Sequence, residues 1–240
     1  MTPNITNNMI HGPSVGIGAG ITVAVILIVF LTFNGVSEQK ELMIDTVPRT
    51  QETEKAKVTM STFLENGSPV LGNPNAPITL VEFGDYQCHF CNVFFHNIED
   101  DIMKKFIETG KVKMIFKDFT IIGADSVTAS HGAHCAEEQG MFWEYHDVLY
   151  NNWTGENNGW ASSENLFRFG QEIGLDMDKW SDCMVNSRYS STILASNQDA
   201  EALGLTGTPS FFVIGPDNQV TKIFGAQPIS QFEKIFDSMG

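Results

Sequence analysis

The chain has 240 residues, 42% of them hydrophobic and eighteen of them Phe, so it can bury a sizeable core without a disulfide scaffold. Its length allows one ordinary domain with an appendage, or two small domains. Fourteen Lys and Arg against twenty-nine Asp and Glu give a net charge of −15 with no basic run, which argues against a nucleic-acid partner or an anionic membrane surface and reads as a solubilising surface.

Residues 1–14 are a polar tail without Lys or Arg. From Val15 to Phe33, VGIGAGITVAVILIVFLTF runs nineteen residues without a charge. At about 1.5 Å per residue this is roughly 28 Å of helix, close to a bilayer's hydrocarbon thickness. A buried core helix usually keeps a polar face; this run has none and reads as a transmembrane segment. It exceeds the usual apolar region of a signal peptide, lacks a basic stretch before it and has no A-x-A site after it, so an uncleaved anchor is favoured over a cleaved leader. Residues 34–57 are polar and mixed in charge, a tether to the domain beyond. Lys40 and Arg49 follow the span, which by charge alone places the C-terminal side inside, but long domains translocate regardless of such counts.

Residues 58–240 carry the pattern of an α/β domain. ITLVEF (Ile78 to Phe83) is a short apolar run after a Pro-Asn-Ala-Pro turn and reads as a buried strand. After it come Cys88 and Cys91, then a helix with Val93, Phe94, Ile98, Ile102, Met103 and Phe106 at three-and-four spacing, closed by Gly110. Lys111 to Phe119 alternates polar and apolar and reads as a second strand beside the first. About residues 126–203 form four helical stretches separated by Gly, Asn or Asp breaks. Phe211 to Ile214 and Val220 to Phe224 flank a Gly-Pro-Asp-Asn turn as a β-hairpin, and Ser230 to Phe236 is a short final helix. This order gives a central sheet covered on both faces, with a helical insertion between its halves.

A C-x-x-C that follows a buried strand and opens a helix places its first cysteine where unpaired N–H groups and the positive dipole end stabilise a thiolate. The second cysteine lies one turn on, within reach of a mixed disulfide formed by the first. His89 beside Cys88 adds positive character when protonated. A lower thiolate pKa stabilises the dithiol and makes the disulfide a stronger oxidant. The competing readings are half a structural zinc site, which lacks its second pair, a two-thiolate Cu(I) site, and inert core cysteines. Thiol–disulfide chemistry is favoured among them.

LGNPNAPITLVEFGDYQCHFC, CAEEQGMFWEYHDVLY and GLTGTPSFFVIG, in this order, resemble the DsbA-like, thioredoxin-fold oxidoreductases with a helical insertion. The resemblance covers about Asn66 to Phe236. It implies an exported or membrane-attached protein-thiol oxidase, with Cys88 the exposed nucleophile and Cys91 the resolving cysteine. It also implies that Thr208-Pro209 is a cis-proline loop facing the disulfide and offering backbone to a substrate peptide. Glu82, an odd residue in a core strand, would be the buried acid that exchanges protons with Cys91, its pKa raised by burial; the bland alternative is a carboxylate reaching solvent. His89-Phe90 departs from the commoner dipeptides, which have proline after the first cysteine, and tunes the potential. Phe90, Tyr86, Phe94 and Phe95 add apolar surface for unfolded chains if exposed, with Phe94 and Phe95 expected in the core.

Cys135 and Cys183 fall on two helices of the insertion. Relatives with cysteines at both positions imply a structural disulfide, whose loop of about fifty residues corresponds to roughly 4 kcal/mol in the chain-entropy model. Such a bridge needs an oxidising compartment, which settles the orientation as N-terminus in, domain out. His131 and His134 have helical spacing for two metal ligands, but no carboxylate partner is evident, so surface or capping roles are expected, with no metal; His146 is expected to be structural. The sequons at Asn66 and Asn152 support export only faintly. The expected function is a membrane-anchored, extracytoplasmic thiol:disulfide oxidoreductase that introduces disulfides into exported, unfolded or reduced proteins. It needs no cofactor beyond the Cys88–Cys91 disulfide and is reoxidised by a membrane or extracellular redox partner. The alternatives are a reductase or isomerase on the same fold, and a chaperone for Cu(I) or another soft metal.

Overall fold

In the computed structural model, which describes residues 57–240, every residue of β1 (Ile78–Gly84) is buried. A strand whose Ile, Leu, Val and Phe side chains point both ways needs cover on both faces, and the centre of a sheet provides it. β1 runs parallel to β2 (Val112–Asp118), with Glu82 opposite Phe116. On its other edge it runs antiparallel to β3 (Ser210–Ile214), with Glu82 opposite Phe211, and β3 turns back into β4 (Val220–Phe224). The order across the sheet is β2-β1-β3-β4.

Side chains alternate across a strand, so β1 serves two cores. Ile78 and Leu80 pack with Phe94, Ile98, Ile102, Phe106, Phe211, Phe232 and Phe236. Val81 and Phe83 pack on the opposite face with Phe63, Phe119, Phe212 and Ile214. Glu82 continues the Ile78, Leu80 series, which aims it toward the helix that opens at His89.

That helix, α2 (His89–Phe94), runs on through a π-turn (Phe95–Glu99), α3 (Asp100–Ile102) and a second π-turn (Met103–Ile107). Phe94, Ile98, Ile102 and Phe106 all reach one core although they repeat every four residues. At 3.6 residues per turn such a repeat drifts by about 40° each step, and the wider π-turns absorb the excess. Gly110, at φ 74°, closes the segment in a left-handed conformation.

Five helices separate β2 from β3: α4 (Ala124–Glu137), α5 (Phe142–Asn151), α6 (Ser163–Glu172), α7 (Met177–Val185) and α8 (Ser190–Ala202). The first four share a core that includes Tyr145, Leu149, Leu166, Phe169 and Trp180 and extends to Cys88 and Cys91, while α8 places Ala200 in the core with Val81 and Phe83. Cys135 of α4 and Cys183 of α7 are disulfide-bonded, with Cα atoms 5.7 Å apart. Trp180 Nε1 donates to Gly132 O at 2.9 Å and ties the same two helices. The final helix, α9 (Ile229–Met239), is longer than the expected Ser230 to Phe236 because Met239 extends its buried stripe. A short α1 (Met60–Leu64), unforeseen in the sequence, sets the Phe63 ring 5.0 Å from that of Phe212. No helix among the described residues is long and apolar enough to cross a membrane. The expected span at 15–33, the tail before it and residues 34–56 of the tether lie outside them.

The histidines of the insertion correct the sequence reading: His131 is buried rather than at the surface, with Nε2 3.3 Å from Ser190 Oγ. His134 is buried, not a surface or capping residue, and it has two carboxylate partners. Nε2 lies 2.8 Å from Asp118 Oδ2 and Nδ1 lies 3.0 Å from Glu137 Oε2. Burial opposes its charge, but the charge and hydrogen bond of Asp118, with Glu137 beside it, raise its pKa to about 9. The folded protein therefore holds a proton that the unfolded chain releases near the ordinary value of 6.5. Its contribution is fully present below pH 6.5 and is lost as pH rises through about 9. Urea unfolding across this window should show stability falling in the wild type and a flatter profile in His134→Gln; parallel profiles would remove His134 as the cause.

Candidate active site

Cys88 is the N-cap of α2, with φ −68° and ψ 125°, so its side chain sits at the free N–H groups of the first turn. Asp85 builds the turn that leads to it. Asp85 Oδ1 accepts from Gln87 N at 2.9 Å, and its Oδ2 accepts from Ile121 N and Ile122 N at 2.8 and 2.9 Å. Cys88 N donates to Asp85 O at 2.9 Å. One buried carboxylate thus binds the β1–α2 turn to the start of the insertion. Sequence reasoning passed over Asp85; the signal was an aspartate two residues before a Gln in a strand-to-helix turn, an Asx-turn pattern. Burial raises its pKa, against the lowering effect of the hydrogen bonds it accepts.

The two thiols are unlike. They are unbonded, Cys88 being 5% exposed and Cys91 0%. Hydrogen bonding from the Cys91 thiol is the main influence that lowers the Cys88 pKa to about 6; burial opposes it, and hydrogen bonds from the Cys91 and Phe90 backbone assist. Burial pushes the Cys91 thiol well above its usual range, and the Cys88 interaction adds to the rise. At neutral pH Cys88 is mostly thiolate and Cys91 is thiol.

Thr208-Pro209 is a cis peptide, and Cys88 Sγ lies 3.3 Å from Thr208 O. The fold brings these residues together across 120 positions of sequence because β3, which follows Pro209, lies beside β1. Thr208 Oγ1 is buried without a partner. Glu82 is 1% exposed, which removes the reading in which its carboxylate reaches solvent. Burial, then the charges of Glu99 and Cys88, raise its pKa well above 4.5, and Glu82 in turn raises that of Cys91. Its Oε2 has no hydrogen-bond partner. Gly84 keeps this floor open, since a Cβ there would lie 2.3 Å from the Phe116 ring and 3.2 Å from Glu82 Oε1.

The aromatic residues divide. Phe90 is 59% exposed beside Cys88, with its ring 5.2 Å from that of His89, which in turn lies 5.7 Å from Trp153. Tyr86, considered above as a possible exposed contact, is fully buried, stacked on Phe116 at 5.0 Å with its hydroxyl 3.1 Å from His146 Nδ1. Phe94 is core and Phe95 is partly buried against Tyr150. Among the described residues, no group of three or more His, Cys, Asp or Glu side chains is disposed to hold a metal.

A buried acid under a buried thiol, with a low-pKa thiol above it at a helix terminus, can exchange disulfides and manage the accompanying proton. Comparisons with known proteins agree with this chemistry. A family model described as Thioredoxin matches residues 64–237. A protein assigned as a protein-disulfide oxidoreductase in Rickettsia prowazekii is 27% identical over 188 residues, 76% of this chain and 67% of that one. A protein assigned as disulfide bond formation protein D in Bacillus anthracis is 27% identical over 149 residues, 60% of this chain and 69% of that one. The crystal structure of Wolbachia pipientis alpha-DsbA1 superposes with a TM-score of 0.65 at 25% identity, covering 72% of this chain and 90% of that one.

Proposed function

The chain belongs to the thioredoxin family and is a DsbA-like thiol:disulfide oxidoreductase, and from that premise we propose that it works as an oxidase, introducing disulfides into exported proteins. The observation that carries this direction is the Cys88 thiol, held near pKa 6 beside a Cys91 thiol held high. A depressed thiolate pKa stabilises the dithiol state and so makes the disulfide ready to accept electrons. A relative assigned as a disulfide bond formation protein is consistent with that direction.

In this mechanism a substrate thiolate attacks Cys88 Sγ of the Cys88–Cys91 disulfide. The bond to Cys91 breaks, and the Cys91 thiolate leaves into the buried pocket, where it takes the proton of Glu82. A second substrate thiolate attacks its own sulfur in the mixed disulfide and expels the Cys88 thiolate, a good leaving group at its lowered pKa. Two electrons pass from the substrate dithiol to the protein, the substrate gains one disulfide, and no organic cofactor takes part. Phe90 offers an apolar contact beside the reacting sulfur, and Thr208 presents its carbonyl at 3.3 Å from Cys88 Sγ. Residues 15–33 would anchor the domain to a membrane through residues 34–57, with residues 58–240 outside the cytoplasm, where a membrane or extracellular redox partner restores the disulfide. The Cys135–Cys183 bridge is consistent with that oxidising compartment.

The test is single-turnover oxidation of a reduced, unfolded protein by the oxidised enzyme, with Cys88 titrated by its thiolate absorbance. One substrate disulfide per enzyme and a Cys88 midpoint near 6 are expected. A midpoint near 8.5, the ordinary thiol value, with reduction of substrate disulfides instead, would turn the assignment to a reductase. Stoichiometric copper on the purified protein, lost in Cys88→Ala, would turn it to metal handling.

A further inference from the structure

The loop between α5 and α6 is fastened to the turn that carries Cys88. Trp153 Nε1 donates to Gln87 O at 2.9 Å, and Asn157 N donates to Gln87 Oε1 at 2.8 Å. Gln87 Nε2 reaches back to Ser126 Oγ at 3.3 Å and to Asn157 Oδ1 at 3.5 Å. Asn157 holds φ 52°, a left-handed conformation that Asn tolerates better than most residues. A Cβ on Gly123 would lie 2.2 Å from Asn157 Oδ1, so the facing turn must come this close as glycine. The loop's position is therefore set from several sides, and it delivers one charged group to the site. Glu156 Oε1 accepts from His89 N at 3.0 Å.

His89 is the first residue of α2, next to Cys88. Its N–H is one of the few groups that give this helix end its positive character. A carboxylate bound there spends that donor and sets a negative charge on the residue next to Cys88. The Cys88 thiolate exists only in the dithiol state, whereas the disulfide carries no charge. The carboxylate therefore disfavours the dithiol state and leaves the disulfide state almost untouched.

We propose that Glu156 is a positioning residue that moderates the oxidising strength of the Cys88–Cys91 pair by capping the His89 N–H with a carboxylate. The proposal rests on the thiol–disulfide chemistry above and adds a residue to it. It accounts for a carboxylate hydrogen-bonded to the residue next to a sulfur whose thiolate the Cys91 thiol and the Cys91 and Phe90 backbone favour. In exchange with glutathione, two glutathione thiols reduce the Cys88–Cys91 disulfide and leave as one glutathione disulfide. The two electrons enter the protein pair, and Cys88 gives up its proton to the extent that its thiolate is stabilised.

Glu156→Gln keeps an amide oxygen that can accept from His89 N, so it removes the charge and retains the cap. A surface charge at a helix terminus acts at about the two- to fivefold level. The glutathione equilibrium of E156Q should therefore shift by that factor toward the dithiol, about 10 to 20 mV more oxidising. The Cys88 titration should move to lower pH, and both differences should shrink in high salt. Glu164→Gln, a carboxylate in the first turn of α6, serves as the net-charge control and should leave the potential unchanged. An E156Q potential equal to or below that of the wild type overturns the inference, and so does an equal shift in Glu164→Gln. A wild type with no glutathione-exchangeable pair would instead remove the thiol–disulfide reading itself.

Discussion

Cys88→Ala should lose exchange with substrate altogether, while Cys91→Ala, offered a disulfide between two single-cysteine peptides, should accumulate a mixed disulfide between Cys88 and one peptide as the other leaves as a thiol. The two thiols sit three residues apart, so only their surroundings can separate the outcomes. Cys88 is at the helix N-cap with its pKa near 6, mostly thiolate at neutral pH, and it borders the exposed Phe90. Cys91 is wholly enclosed and its pKa is high, so it meets no substrate directly and acts on what Cys88 has bound. Without Cys91, and with no second thiol on the bound peptide, nothing within reach breaks the mixed disulfide. Removing Cys91 also takes away the main group lowering the Cys88 pKa, so the Cys91→Ala thiolate should titrate at higher pH than in the wild type. Mass spectrometry of the adduct trapped from the peptide disulfide checks the first result and absorbance titration the second. Adducts through Cys91 in Cys88→Ala, at a rate within tenfold of the wild type, would reverse the assignment of the two sulfurs.

What the sequence disclosed and what it hid follow from how local each signal is. ITLVEF is legible because a strand buried on both faces has few polar choices, and Cys88 and Cys91 because helix-terminus chemistry depends on the neighbouring turn alone. The hairpin and the C-terminal helix were legible from periodicity, within a few residues. Long-range pairings were not. Lys117 in β2 looked like the polar half of an alternating strand, yet it is fully buried, bonded to Glu65 O and to Asp199 Oδ2, the latter at 2.8 Å. Of the two carboxylates on His134, Glu137 lay within helical reach and was overlooked, whereas Asp118 stands sixteen residues away, at the end of a strand. Glu156 carries no motif at all, and its place over His89 depends on a loop fixed by Gln87. Buried ion pairs and caps of this kind are written in the packing of elements, where single-sequence periodicity has no reach.

Glu82→Gln should slow the attack of substrate thiolate on the Cys88–Cys91 disulfide by about a hundredfold near neutral pH, at the lower end of what a positioned acid contributes. Cys91 leaves with a strongly raised pKa into a pocket closed to solvent, so its departure as a bare thiolate is unfavourable. Glu82 carries the needed proton because burial, with Glu99 nearby, holds its own pKa well above 4.5; the Cys88 charge that adds to this in the dithiol is absent from the disulfide. An amide of the same shape has no proton to give. The same substitution should act on stability in the opposite sense. A raised folded pKa means that the folded protein keeps a proton the unfolded chain releases near 4.5, so wild-type stability declines as pH rises from there until Glu82 ionises in the fold. Glu82→Gln removes that decline and should unfold at higher urea concentration at alkaline pH, helped by the absence of a buried charge. Stopped-flow oxidation of a dithiol peptide and urea midpoints across pH measure the two effects on one protein. Slower exchange with a flatter stability profile is the expected pair. An unchanged rate beside the flatter profile would leave Glu82 buried and titrating but outside the proton transfer, and Cys91 would then have to take its proton by another route.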